Sequence, residues 1–402
     1  MTVMSERTNV VSATVDATDL RSAAAFIVKW VPARPAVPLL GGVKVTMNGG
    51  KLTLSTFDFA IAATASMDAV GDPFEVVVPG KVLGAVFTKL EAQQATLSVA
   101  GDKLVIKAGP TRVALTLLDA DNYPALPPHG EPFLMLPGSQ FAREMRRVSV
   151  AAVSGAKNAE QTPALVNVCI ESVGGVVSFT ATDRHRLAVT QLQDAVTTPM
   201  PEFMVNAQDL AKIGGLFAKE PVVELLRAPR SPGSLGWLTV TTPTRSVGVV
   251  EVDATFIAWR NLLVKPTVAS CTVDRKTLAA TVKRLQGFLE KNEPLRFTVY
   301  GTDEMLVEAG HGEMTASELV PVADSTGISS EMTTAFNVVL LSETLAVQDS
   351  AYVTINFREC AQLGRQPVIL RGRSRMDADD EVEHFQLLMP VFIDLEGRKV
   401  VR

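Results

Sequence analysis

Apolar residues along this chain recur with two periods that alternate in a fixed order. Period-two stretches, such as Leu52-Thr53-Leu54-Ser55 and Val176-Val177-Ser178-Phe179, predict strands with one face buried. Stretches with apolar residues at i, i+3 and i+4 predict amphipathic helices from Asp16 to Trp30, Gly80 to Leu90, Gly138 to Val153, Asn206 to Ala218, Asp274 to Leu289 and Asn337 to Gln348. Asp16, Ser139 and Asp274 are expected N-caps, since a short polar side chain there can accept a hydrogen bond from an unpaired N–H of the first turn. A short strand precedes each helix: Val11 to Val15, Phe74 to Pro79, Phe133 to Leu136, Glu202 to Val205, Cys271 to Val273 and Thr334 to Phe336. Further strands follow each helix.

The pattern is organised around Thr180-Ala181-Thr182-Asp183-Arg184-His185-Arg186-Leu187-Ala188-Val189, which reads as a hairpin whose turn carries an Asp, two Arg and a His. Leu52 to Thr64 is a similar segment about one third of the chain earlier, and Met305 to Ala316 is a weaker echo about one third later. One unit used three times follows, with the helix-then-strands motif twice in each third. Two connectors lack either period: the proline-rich Asp119 to Pro128, and Trp259 to Pro266. The fold class is α+β, with domains expected at residues 1–129, 130–265 and 266–402, the last ending in a short tail. Arg373 to Glu383 and Asp394 to Arg402 read as charged, mobile segments.

The chain has 402 residues, 47% hydrophobic and 20% charged, with no apolar run of about 18 residues, which predicts a soluble protein of several domains. Its N-terminus lacks the charged start and apolar stretch of a secretory signal, so a cytoplasmic setting is expected. Cys169, Cys271 and Cys360 lie far apart in or beside strand-like runs and suit reduced, buried thiols better than a disulfide or a metal site. There is no glycine-rich phosphate loop, no His/Glu pair at metal spacing and no Gly-x-Ser-x-Gly elbow. Asp183 and His185 have no nucleophile beside them. No catalytic residues, no metal and no cofactor are expected, and the chain reads as non-catalytic.

Charge placement refines this picture. The net charge is −5, yet the six helix windows (16–34, 79–90, 138–157, 206–220, 274–292 and 337–349) hold 16 Lys and Arg against 9 Asp and Glu, while the remainder holds 22 against 34. Basic helices and acidic strands are either ordinary solvated faces or a surface that meets a polyanion. From charge alone, Lys29, Arg143, Arg146, Arg147, Lys157, Lys212 and Lys283 are candidates for phosphate contact. The sixth window, with only Glu343 and Asp349, breaks the pattern.

Several motifs occur in a telling order: Arg34-Pro35-Ala36-Val37-Pro38-Leu39-Leu40-Gly41, Lys51 to Asp58, Val77-Val78-Pro79-Gly80-Lys81, Asp121-Asn122-Tyr123-Pro124, Ala181 to Ala188, Phe336-Asn337 and Leu387-Leu388-Met389-Pro390-Val391. In this order and at these spacings the chain resembles the bacterial DNA polymerase III beta subunit, the sliding clamp, along nearly its whole length, as a divergent copy of actinobacterial type. The resemblance implies three clamp domains per subunit and a head-to-tail homodimer closed into a ring, helices lining the hole and sheets outside. Such a ring encircles double-stranded DNA nonspecifically and tethers the polymerase for processivity. It also implies that Arg34 contacts DNA.

The family takes peptides of the polymerase III alpha subunit, the clamp loader and other clamp-binding proteins in a groove between its second and third domains. The matching positions are Leu165, Thr182, Arg184, His185, Arg186, Leu187, Ile257, Asn261, Leu262, Asn337, Leu340, Pro367, Leu387, Leu388, Met389, Pro390, Val391, Phe392 and Ile393. His185 and Arg186 either hold the turn or meet the peptide backbone. A second-domain loop that contacts DNA in the family corresponds to Asn158 to Ala164, which is poor in basic and aromatic residues. Positions matching the subunit interface are Val113 and Leu115 on one side and Gln286 to Leu289 on the other. Val113 replaces an aromatic residue and Gln286-Gly287 replaces aliphatics, so a weaker dimer is expected. Ile257 replaces a common proline, Leu340 a frequent tyrosine and Phe392 a frequent basic residue. These changes cluster at the groove and suggest altered partner preference, or a clamp-derived binding or immunity protein that sequesters or resists a groove-binding inhibitor.

Overall fold

The structure, a computed structural model, describes residues 10–155, 162–192, 200–301, 303–311, 314–328, 331–359, 366–374 and 383–392. The first third forms β1 (Val11–Asp16), α1 (Ala17–Ile27), β2 (Gly42–Asn48), β3 (Lys51–Phe57), β4 (Ile61–Gly71), β5 (Phe74–Pro79), α2 (Gly80–Phe87), β6 (Gln94–Ala100), β7 (Lys103–Ala108) and β8 (Thr111–Thr116). The second forms β9 (Glu131–Leu136), α3 (Gly138–Ser149), a one-turn α4 (Pro163–Val166), β10 (Asn167–Val173), β11 (Val176–Thr182), β12 (Arg186–Leu192), β13 (Met200–Asn206), α5 (Ala207–Phe217), β14 (Val223–Ala228), β15 (Trp237–Thr241) and β16 (Arg245–Val250). The last forms β17 (Thr267–Asp274), α6 (Arg275–Leu285), β18 (Leu295–Tyr300), β19 (Glu304–His311), β20 (Met314–Thr326), β21 (Met332–Phe336), α7 (Val338–Ala346), β22 (Tyr352–Arg358), β23 (Val368–Arg373) and β24 (Glu383–Leu388). A strand, a helix and three strands thus recur six times, as the sequence pattern predicts.

The strand-to-helix junctions explain why the helices start where they do. Asp16, Asn206 and Asn337 each have extended backbone, and each side chain accepts hydrogen bonds from the two N–H groups two and three residues on. Asp274 accepts from Thr277 N at 2.7 Å. Ser139 does not cap: it lies inside α3, which begins at Gly138 after Pro137. Pro79 occupies the same junction before α2, where its extended backbone enters the helix with no side-chain cap. A proline already holds φ near −65°, so these two junctions are preset by the ring.

By contact the chain forms two compact units, Met1–Pro137 with Glu220–Glu251, and Gly138–Lys219 with Val252–Arg402. The first holds one antiparallel sheet of twelve strands, in the order β8-β7-β6-β1-β4-β16-β15-β14-β9, with β3, β2 and β5 leading off β4. The second holds another twelve, ordered β13-β10-β11-β12-β24-β23-β22-β17-β20-β19-β18-β21. Period-two patterning buries alternate residues, such as Val43, Val45 and Met47 on β2 against Leu52 and Leu54 on β3. The helices pack in pairs, α1 with α2, α3 with α5 and α6 with α7. At the α3–α5 crossing a Cβ on Gly214 would lie 3.2 Å from the Cα of Ala142, so the two backbones approach more closely there than a larger residue would allow.

Each unit contains one joint of the same kind. In the first, β16, last strand of the fourth motif, pairs with β4, last strand of the first, from Ile61↔Val249 to Ala65↔Arg245. In the second, β24 pairs with β12 from Arg186↔Leu388 to Gln191↔Glu383. Among the described residues, β8 pairs on one edge only, and Met314 to Pro321 of β20 pair only with β19.

The connector after β8 is anchored by Tyr123, whose buried hydroxyl accepts a hydrogen bond from Phe57 N (3.0 Å) and donates to Gly42 O (3.3 Å). Burial pushes this phenol above its ordinary pKa. Cys169 and Cys271 are free and buried, the latter pushed up to about 12 by desolvation. Cys360, Lys157, Ile393 and most of the two charged segments lie outside the described residues.

Candidate peptide-binding cavity

The β11–β12 turn is built by Asp183. Its Oδ1 accepts from His185 N (2.9 Å) and Arg186 N (2.8 Å), and its Oδ2 accepts from Arg186 Nε (2.9 Å). Thr182 Oγ1 donates to Arg186 O at 2.7 Å and accepts from Arg184 N at 3.2 Å. This closure forces Arg184 into the left-handed region, with φ 77°. Arg186 is buried and also reaches Glu343 of α7 at 2.7 Å. Arg186 thus makes contacts that hold the turn. His185 is exposed, and its carbonyl accepts from Met389 N at 2.8 Å. Val391 N in turn donates to Ala335 O at 2.7 Å, so the segment after β24 is fixed at both ends.

Beside this turn opens a cavity of about 480 Å3. Leu165, Thr182, Arg184 and Ile257 of the predicted groove line it, together with Thr162, Pro163, Ala164, Asp253, Ala254 and Thr255. Sequence reasoning did not assign these last six to the groove, and it took Thr162 to Ala164 as the end of a DNA-facing loop. A signal was available: Pro163 opens the one-turn α4, and Asn167 Nδ2 donates to Pro163 O at 2.7 Å to close it. Leu187 and Leu387 lie beneath the cavity in a core with Cys169, Val189, Phe256, Trp259 and Phe385. Leu388 is buried in the core that surrounds α6, with Leu340 packed against it. Pro367 and Pro390 are buried, Asn337 caps α7, and Val391 and Phe392 are half-buried. Asn261, Leu262 and Met389 are exposed and do not line the cavity.

The wall carrying Ile257 is held from two sides. Trp259 is buried, donates from Nε1 to Glu171 Oε1 (3.1 Å) and is stacked by Arg260, whose guanidinium also pairs with Glu171 at 2.6 Å. Arg358, 5% exposed, donates from Nε and Nη2 to Lys265 O (3.0 and 2.6 Å) and from Nη1 to Leu262 O.

The predicted phosphate contacts fall into two groups. Arg34, Lys29, Lys212 and Lys283 are exposed. The α3 arginines pair with carboxylates of the same unit. Arg143 pairs with the fully buried Glu144 at 2.7 Å, Arg147 with Glu144 at 3.2 Å, and Arg146 with Asp349 at 2.7 Å. Glu144 also accepts from Thr190 Oγ1 (3.3 Å), and Thr190 meets Nδ1 of the buried His384 at 2.9 Å.

Burial, then the charges of Arg147 and Arg143, pull His384 down to about 3. The unfolded chain takes up this proton near pH 6.5 whereas the folded chain stays neutral, so stability is full above pH 6.5 and is lost as pH falls toward 3. At this single site the slope is about 1.4 kcal/mol per pH unit. Urea unfolding at pH 7.0 and pH 5.5 is expected to show the loss, and His384→Gln to flatten it. An equal slope in that variant would refute the assignment.

Of the positions predicted for an interface, Val113 is half-buried on the outer strand β8, whereas Leu115 turns into the core. Gln286 is exposed in a short 3-10 turn after α6, and Leu289 packs against the core around α6. Among the described residues no group of His, Cys, Asp or Glu is arranged to hold a metal ion, and no helix is long and apolar enough to cross a membrane.

Residues 12–127 match the family model described as DNA polymerase III beta subunit, N-terminal domain. The chain is 26% identical over 378 residues to a beta sliding clamp of Streptomyces coelicolor, covering 92% of this chain and 96% of that one. It is 25% identical over 369 residues to the beta sliding clamp homolog GriR of Streptomyces muensis, covering 91% and 95%. A sliding clamp of Pseudomonas aeruginosa, solved bound to griselimycin, shares the fold with a TM-score of 0.82 at 21% identity, covering 95% of this chain and 100% of that one. The matched first domain, the end-to-end alignments and the shared fold together make the chain similar, along nearly its whole length, to the bacterial beta sliding clamps.

Proposed function

We propose that this clamp closes as a head-to-tail homodimer around double-stranded DNA, with residues 1–129, 130–265 and 266–402 as its three domains. It tethers the polymerase III alpha subunit in the cytoplasm and takes peptides of the polymerase, the clamp loader and other partners in the cavity beside Asp183. The observation that carries this reading is an incomplete set of like strand pairings. Twice within the chain, the last strand of one motif pairs with the last strand of another, β16 with β4 and β24 with β12. The third such pairing, β8 with the first half of β20, has no partner within the chain among the described residues. A second copy satisfies both edges, with Val113 on one side and Gln286 and Leu289 near the other. DNA is then retained by topology, helped by weak contacts from exposed residues such as Arg34 and Lys29.

Light scattering after gel filtration is expected to give a dimer, dissociating at concentrations above the nanomolar range. Once loaded by a clamp loader, the protein should stay on nicked circular DNA and leave when that DNA is linearised. Equal release from both would sink the ring. The departures at Ile257, Leu340 and Phe392, and the similarity to GriR, favour a second reading as a binding or immunity protein that sequesters or resists an inhibitor. In that case the protein would bind the inhibitor but would neither load nor raise polymerase processivity.

A further inference from the structure

Arg184, with φ 77°, has a counterpart 125 positions earlier in Phe59, with φ 69°. Both turns close alike: Asp58 Oδ1 accepts from Ala60 N and Ile61 N as Asp183 Oδ1 accepts from His185 N and Arg186 N. The turn therefore dictates the left-handed backbone, which glycine adopts without a Cβ clash. The chain carries an arginine there instead, and a side chain kept at the expense of backbone strain points to a task. In the first copy the side chain packs: the Phe59 ring lies 5.1 Å from that of Phe57, which meets Trp237 at 5.6 Å. In the second, Thr182 stands at the position of Phe57, and the cavity opens with Arg184 in its wall. Arg184 is exposed, and its guanidinium has no ion pair or hydrogen bond among the described residues, even though Asp253 lines the same cavity. Neighbouring Arg186 is engaged by Asp183 and Glu343, and Arg260 by Glu171.

We infer that Arg184 determines the specificity of this cavity by selecting peptides that present a carboxylate beside an apolar anchor, an inference that rests on reading the cavity as a peptide site. The guanidinium fork matches a carboxylate with two parallel N–H···O bonds, and the contact strengthens at the mouth of a partly dry cavity. An amide isostere offers a single acceptor and no charge.

The test uses the full chain and three fluorescein-labelled peptides: Ala-Leu-Glu-Leu-Phe amide, Ala-Leu-Gln-Leu-Phe amide, and the latter with a free C-terminal carboxylate. Fluorescence anisotropy is expected to show the Glu peptide binding about ten-fold tighter than its Gln amide, a gap that shrinks as salt rises. A preference carried by the third peptide instead would assign the same contact to a terminal carboxylate. Arg184→Gly should abolish the preference and, by relieving the left-handed strain, melt no lower than the parent chain. Arg184→Lys should keep part of the preference, since it retains the charge but loses the fork. A preference surviving in Arg184→Gly overturns the inference. Equal binding of all three peptides by the parent chain overturns it too, while leaving the peptide site standing. Failure of all three to bind removes both.

Discussion

Glu144→Leu is expected to destabilise the unit that contains α3 by about 3–5 kcal/mol, because it removes one partner from a buried charge cluster. Glu144 is fully buried and lies 2.7 Å from Arg143 and 3.2 Å from Arg147, whose side chain is only 13% exposed. Deleting the carboxylate leaves two guanidinium groups facing each other, with Thr190 and His384 behind them. Arg147 keeps a contact to Asp349 only at 3.8 Å. The loss is one of balance, not of intrinsic pair strength, so Glu144→Leu with Arg147→Leu should recover a good part of it. Urea unfolding of the three variants measures the cycle. A cost below about 1 kcal/mol for Glu144→Leu would mean that the cluster is hydrated and carries little weight.

The second large effect is expected at Arg358. Its guanidinium serves the Leu262 and Lys265 carbonyls, and no carboxylate pairs with it among the described residues. Burial accordingly pulls its pKa below the usual arginine value. Arg358→Met removes the donors of those carbonyls in a part-buried site, at roughly 1.5–3 kcal/mol for charge-assisted bonds. The loss should also loosen the Trp259–Leu263 segment that follows Ile257 on the cavity wall. Arg358→Lys should restore only part of the stability, since one ammonium cannot span the donor geometry of the fork. Hydrogen exchange at the Trp259–Leu263 amides reports the local change and urea unfolding the global one. Unaltered exchange and midpoint in Arg358→Met would show that Trp259 and Glu171 hold the wall unaided.

Much of the architecture was legible because it is local. Apolar spacing marked the helices and strands, and short polar side chains at Asp16 and Asp274 set helix starts, since caps act within three residues. The Asp183 turn and its echoes could be read for the same reason: its hydrogen bonds span only two or three positions. Ser139 misled because Pro137 presets that junction without a cap. Counting charges along helices could not show that Arg146 is compensated, because it meets Asp349 across 203 positions. The cavity likewise draws Pro163, Arg184 and Ile257 from segments far apart in the chain. By itself the sequence determined the six repeated motifs, the turn and the resemblance to a clamp. Which α3 cation meets a distant carboxylate, and which residues wall the cavity, was decided only when long-range strand pairing such as β12 with β24 brought distant side chains within a few ångströms. Neither of the two local periods encodes those encounters.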